Sequence, residues 1–464
     1  MFPDDFAWGA ATASYQIEGG RDADGKGPSV WDAMSAWPGK INNADHGRVA
    51  CDHYHRSGED VAVMREIGFN AYRFSLSWPR ILPEGEGKVN EAGLAFYDRL
   101  VDQLLDAGIE PWVTLFHWDY PLALYRRGGW LNPRSPEWFA RYAEVVVDRL
   151  SDRVSKWMTL NEPQCFIGHG HRVGVHAPGL KLDWPDVLVA AHHALLAHGR
   201  AVSVIRERAR NTPTVGWAPV GVVKYPADND PAHVDAARAA MFRIDEPTFW
   251  TNTWFSDPVV LGRYPEDGLR VFGDAAPKAS SRDFDLMCQP LDFYGANIYN
   301  GLPVRADDQA AGPVAVDRPQ GYARTMFDWP IEPDCLYWGP KFLHERYGLP
   351  IAVTENGMSG HDWVAEDGEV HDPHRIDFTR RYLRRLRDAA ADGVPVRGYM
   401  HWSLMDNFEW AEGYRQRFGL VHVDYATQTR TIKQSGHWYR GVIETNGRSL
   451  NQPEAVRTPI ASDL

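Results

Sequence analysis

Apolar positions along the chain fall into two alternating patterns. Eight short runs rich in β-branched and aromatic residues lie near 6–14, 69–78, 110–118, 154–162, 212–221, 291–299, 350–355 and 396–404, and they read as strands. Between them, apolar residues recur at helical spacing. In 91–107, Leu94, Tyr97, Leu100, Val101, Leu104 and Leu105 mark one face of a helix, and Gly108 supplies its stop. Ser135-Pro136-Glu137 predicts a second helix over 135–151, with Ser135 as N-cap and Pro at the first helical position. A third helix is predicted over 185–208, starting at Pro185-Asp186, and a fourth over 374–391, ending near Gly393.

Eight β–α alternations with no Pro/Gly/Ser-rich linker predict a parallel sheet in one domain spanning residues 1–464. Closing that sheet gives a (β/α)8 barrel, the TIM-barrel class of α/β fold. The chain exceeds the roughly 250 residues typical of this fold. The surplus is expected in long βα loops, chiefly 25–55, 222–285, 300–332 and 358–372.

A barrel carries its chemistry at the C-terminal ends of its strands. Polar and aromatic residues cluster at those ends here. Gln16 follows the first strand. His117, Trp118 and Asp119 end the third, and Asn161 and Glu162 the fourth. Asn297 and Tyr299 end the sixth, and Glu355 and Asn356 the seventh. Trp402 lies on the eighth, with Glu409 and Trp410 just after it. Arg73 falls inside the second strand, where a charge needs a partner.

Composition narrows the chemistry. A formal net charge of -13 argues against nucleic acid or an anionic membrane as partner, since both need a basic patch. No run of 18 apolar residues suggests a membrane span. The 19 Trp residues suit a cleft that stacks the flat faces of sugars, although most must serve the core. The four cysteines (51, 165, 288 and 335) form no CxxC pair, which fits a reduced, cytoplasmic protein. The start lacks a secretory leader, and no Asn-x-Ser/Thr acceptor occurs. The close histidine pairs lack HExxH spacing, and neither GxSxG nor GxxxxGK[ST] is present. No metal and no organic cofactor are expected.

Two segments end an apolar run with Glu before a chain breaker, Thr159-Leu160-Asn161-Glu162-Pro163 and Val353-Thr354-Glu355-Asn356-Gly357. Each aims a carboxyl into the barrel mouth, from strands that face each other across it. Cleavage of a glycosidic bond needs two such carboxyls, one to protonate the leaving oxygen and one to attack or stabilise the sugar carbon. Either Glu alone is as well explained by an ion pair; both together, within a ring of polar residues, are not.

The chain resembles glycoside hydrolase family 1, the β-glucosidase family, over essentially its whole length. The resemblance rests on Phe6 to Gly19 (FAWGAATASYQIEG), Tyr72 to Trp78 (YRFSLSW), Phe116-His117-Trp118-Asp119, the two Glu segments, and Trp402 to Trp410 (WSLMDNFEW). It implies a retaining mechanism with Glu162 as acid/base and Glu355 as nucleophile. It implies that Gln16, His117, Trp118, Asn161, Glu409 and Trp410 bind the non-reducing sugar and that Trp402 stacks on it. Arg73, Asn297 and Tyr299 would position substrate and tune the nucleophile. The substrates implied are small β-glucosides and cello-oligosaccharides, with some β-galactosidase or β-fucosidase activity. Glu409 and Trp410 set the phospho-glycosidases aside, and Glu162 sets aside the thioglucosidases that lack the acid. Gln164 departs from the Trp common in the family and is expected on the leaving-group (aglycone) side. Phe166, His169 and Leu122-Ala123-Leu124-Tyr125 also depart. A transglycosylase using the same intermediate and a non-catalytic glycan-binding barrel are the alternatives.

Overall fold

The computed structural model describes residues 2–307, 309 and 312–451. Its main sheet has eight strands: β1 (Ala7–Ala11), β2 (Ala71–Ser75), β3 (Glu110–Phe116), β4 (Lys156–Asn161), β5 (Thr214–Ala218), β6 (Tyr294–Asn297), β7 (Ile351–Asn356) and β8 (Val396–Trp402). Each lies within, or one residue beyond, a run predicted from the pattern. They are hydrogen-bonded in the order β5-β4-β3-β2-β1-β8-β7-β6, every pair parallel. The two outer strands meet as well. Asp292 N–H donates to Val215 O at 2.8 Å, Asn297 N–H to Pro219 O at 3.0 Å, and Gly221 N–H to Asn297 O at 2.9 Å. The sheet thus closes into a (β/α)8 barrel. Its strands are buried on both faces, which is why they read as continuous apolar runs rather than alternations.

Around the barrel lie α1 (His53–Ile67), α2 (Glu91–Asp106), α3 (Ser135–Leu150), α4 (Trp184–Arg208), α5 (Cys335–Tyr347), α6 (Pro373–Ala391) and α7 (Gln434–Glu444). The cap of α3 differs from expectation. Ser135 is already inside the helix, and Arg134 holds the cap position without a side-chain bond. The turn is started upstream, where Asn132 Oδ1 accepts from Arg134 N–H at 2.9 Å, a local competition with helix geometry at which Asn excels. Among the described residues α4 alone is long and apolar enough to cross a membrane; 67% of its apolar window is buried within the fold, where it packs on α3.

The long insertions are more ordered than loops. Segment 222–285 holds a strand, Val223–Pro226, three α-helices, Pro231–Phe242, Thr253–Val260 and Glu266–Phe272, and the start of a fourth, Ser281–Met287. Val223–Pro226 pairs with Gly301–Arg305, which pairs with Val314–Ala315, so a small second sheet stands above β5 and β6. Gly357, just past β7, answers a close approach. A Cβ there would collide with the Trp402 carbonyl oxygen, so the ends of β7 and β8 converge only with glycine at this position.

Candidate active site

The barrel mouth holds a cavity of about 780 Å³, within the range of small-molecule sites. Of the predicted residues, His117, Trp118, Glu162, Asn297, Tyr299, Glu355, Trp402, Glu409 and Trp410 line it. Gln16, Arg73 and Asn161 lie beneath the lining, 1% exposed or less.

The floor is one hydrogen-bonded web centred on Arg73. Its Nη1 donates to Glu355 Oε1 at 2.6 Å and to Thr354 O at 2.9 Å, its Nη2 to Asn161 Oδ1 at 2.6 Å, and its Nε to Thr114 Oγ1 at 3.2 Å. Tyr299 OH donates to Glu355 Oε2 at 2.7 Å. Asn297 Nδ2 donates to Asn161 Oδ1 and to Glu162 Oε1, both at 2.9 Å, and its Oδ1 accepts from Thr354 Oγ1 at 2.6 Å. Because Arg73 fixes the oxygen of Asn161, the Asn161 amide nitrogen must face His117 Nε2, 3.0 Å away, and donate to it. His117 then carries its proton on Nδ1, which is buried and has no partner among the described residues. Burial and Arg73 hold this imidazole's pKa well below the usual value, so it is a neutral donor. Its ring runs nearly parallel to those of Trp402 and Trp410. Gln16 Nε2 reaches Asn407 Oδ1, Phe408 O and, at 3.3 Å, Glu409 Oε2, leaving Oε1 without a partner.

The two carboxyls on β4 and β7 sit in different fields. Burial pushes Glu162 up to about 8, and the charge of Glu355 adds to it; hydrogen bonds from Asn297 and Cys165 offset only part. Burial also raises Glu355, but Arg73 and Tyr299 pull it back. Of the pair, Glu162 therefore keeps its proton and Glu355 its charge. Burial and the Glu355 charge push Glu409 up to about 8 as well.

Three non-glycine residues of this lining have left-handed backbone: Trp118 (φ 80), Glu162 (φ 47) and Trp410 (φ 48). Such conformations cost about 1–3 kcal/mol each and persist where surrounding contacts impose them. Here the Glu162 amide donates to Ala218 O at 2.8 Å, the Trp118 indole to Asn161 O at 2.9 Å, and Trp410 packs 4.5 Å from Trp118 and 4.6 Å from Trp31 between ring centroids.

Gln164 corrects one expectation. It is fully buried and does not line the cavity. Its amide is consumed by backbone, with Nε2 donating to Val220 O and Thr251 O at 3.3 Å and Oε1 accepting from Val220 N–H at 3.2 Å. It belongs to a π-helix, Gln164–Val173, that turns it away from the cleft. The cavity lining also includes Cys165, His169, His176, Lys224, Trp250 and Trp329. Apart from His169, no pattern in the sequence singles them out: Cys165 and His176 follow β4, while Lys224, Trp250 and Trp329 lie on the insertions after β5 and β6. Among the described residues, no three His, Cys, Asp or Glu side chains gather as a metal site, and all four cysteines are free.

The chain is similar to known proteins over nearly its whole length. Beta-glucosidase A of Thermotoga maritima is 45% identical over 453 residues, 96% of this chain and 98% of that protein. Beta-glucosidase of Agrobacterium sp. is 45% identical over 444 residues, 94% of each. Solved structures of the Thermotoga maritima beta-glucosidase, in complex with deoxynojirimycin and with galacto-hydroximolactam, match with a TM-score of 0.87 and 44% identity, covering 96% of this chain and 99% of theirs. The profile of Glycosyl hydrolase family 1 spans residues 1–448, and the chain belongs to that family.

Proposed function

We propose that the protein is a retaining β-glucosidase that removes terminal β-D-glucosyl residues from small β-glucosides and cello-oligosaccharides, the whole chain acting as one catalytic domain. The observation that carries this reading is the asymmetry of the two buried carboxyls. Glu355, held by Arg73 and Tyr299, is the nucleophile. Glu162, with its pKa pushed up to about 8, is the acid.

Glu162 gives its proton to the departing glycosidic oxygen as Glu355 attacks the anomeric carbon, forming a glycosyl ester. Esterification removes the negative charge of Glu355, so the pKa of Glu162 falls. Glu162 then takes a proton from water, which attacks the same carbon and restores the original configuration. His117, Gln16 and Glu409 bind the sugar hydroxyls, and Trp402 stacks on the ring. Glu409 with Gln16 offers acceptors to O4 in either orientation, so β-galactosides and β-fucosides are slower substrates. The relative solved with galacto-hydroximolactam supports this. A cytoplasmic location is consistent with four unpaired cysteines.

The test is the anomer first formed. NMR of 4-nitrophenyl β-D-glucoside hydrolysis should show β-glucose before mutarotation; α-glucose first, or no hydrolysis, overturns the proposal.

A further inference from the structure

We infer that the leaving-group end of the cavity is built for an aryl aglycone bearing an acid group, such as a glucosylated hydroxybenzoate; this rests on the β-glucosidase reading. Glu162 marks that end, because it protonates the departing oxygen. Its amide bonds to Ala218 O, and from there the chain rises as one wall through Val220 and Val222 to Lys224. The wall is pinned at each step. Gln164 holds both backbone groups of Val220. Asn252 does the same at Val222, accepting from its N–H at 3.0 Å and donating to its O at 2.8 Å. Lys224 itself lies on the strand paired to Gly301–Arg305, opposite Leu302.

Two cationic side chains, Lys224 and Arg318, line the cavity from this wall and its neighbour. Arg318 is engaged, donating to Glu332 Oε1 at 2.6 Å and to Gly301 O at 2.8 Å. Lys224 is only partly exposed, and its ammonium has no hydrogen-bond or ion-pair partner among the described residues. Trp250 and Trp329 bring flat faces to the same cavity. Flat apolar faces select a planar ring. An unpaired, partly desolvated ammonium selects an anion on it, because charge-assisted bonds exceed neutral ones about twofold in strength.

The experiment compares 4-carboxyphenyl β-D-glucoside with its neutral isostere, 4-carbamoylphenyl β-D-glucoside, in wild type, Lys224→Met and Lys224→Arg. The ratio of kcat/KM, acid over amide, should fall about fivefold to tenfold in Lys224→Met, mostly through KM, and should be kept in Lys224→Arg. In wild type the ratio should decline with added salt. A ratio unchanged in Lys224→Met would show a lysine that merely reaches to water and would overturn the inference while leaving the glucosidase reading intact. Failure of wild type to cleave 4-nitrophenyl β-D-glucoside would overturn both; cleavage of that substrate but not of 4-carboxyphenyl β-D-glucoside would overturn the inference alone.

Discussion

Two groups of buried carboxyls lie on either side of the segment that follows β8, and their electrostatics are opposite. On the cavity side, Glu162, Glu355 and Glu409 share one guanidinium, Arg73, which bonds only Glu355. Behind the segment, Asp362, Asp372 and Asp406 meet three cations. Lys433 Nζ contacts Asp362 at 2.5 Å and Asp406 at 2.7 Å, Arg375 contacts Asp362 at 2.7 Å and Asp372 at 2.6 Å, and Arg417 contacts Asp406 at 2.7 Å. Burial opposes ionisation in both groups. In the first it prevails, and Glu162 and Glu409 rise to about 8. In the second, Arg375 and Lys433 overcome it and bring Asp362 down to about 2. Burial alone therefore does not set the protonation state; the supply of cations does. The starved group holds a proton at Glu162, where the proposed mechanism spends one. The balanced group anchors Asp406, three residues before Glu409, and so fixes the segment that carries Glu409 and Trp410 to the cavity.

The contrast breaks most completely at Glu355. Glu355→Ala should lower kcat on the order of a millionfold, the scale seen when an enzyme's nucleophile is removed, as measured on an aryl β-glucoside. Glu162→Gln should cost about 10²–10⁴-fold in kcat/KM on substrates with poor leaving groups. The pH profile should change shape with it. In wild type the basic limb falls as pH rises through about 8, where Glu162 loses its proton; the variant should lack that limb.

On the balanced side, Asp406→Ala strips an anion from Lys433 and Arg417 and an acceptor from Gly419 N–H. Arg417 then loses its carboxylate and Lys433 keeps only Asp362, so the variant should be destabilised, by up to about 3–5 kcal/mol, read by urea unfolding. The smallest effect sharpens the contrast through the sign of its pH dependence. Glu409 has a folded pKa above its unfolded one, so the fold loses stability as pH rises from the ordinary carboxyl range through about 8. Glu409→Gln should therefore raise Tm at pH 8, with the gain vanishing near pH 4. Asp362 runs the other way: its contribution is present above its unfolded pKa and is lost as pH falls toward about 2.

The balanced cluster was largely hidden in the sequence, while the starved one was legible. Glu162 just follows β4 and Glu355 is the last residue but one of β7, each near a chain breaker, so the strand pattern places both at the barrel mouth, while their roles come from the family resemblance. Asp362, Arg375 and Lys433 lie in a loop, a helix and a cap position that only the fold joins. The eight strands were readable because both faces are buried. The cap of α3 was not, because an Asn turn upstream pre-empts Ser135. The helices within 222–285 do not stand out from the surrounding loop in the sequence, nor do Lys224 and Trp250, which carry no motif. Gln164 stands out in the sequence as a departure, but its place does not, since nothing local reveals that the π-helix turns its amide toward Val220.

The roles of Glu162 and Glu355 are tested most directly by the stereochemistry of azide rescue. Glu355→Gly keeps the acid and loses the nucleophile, so azide attacks once and the product is the α-glycosyl azide. Glu162→Ala keeps the nucleophile, and a dinitrophenyl glucoside still forms the glycosyl-enzyme. Azide then attacks that ester, and two inversions give the β-glycosyl azide. NMR of the two products should show opposite anomers in that order. The reverse order would exchange the two assignments, and rescue of neither variant would contradict double displacement at this site.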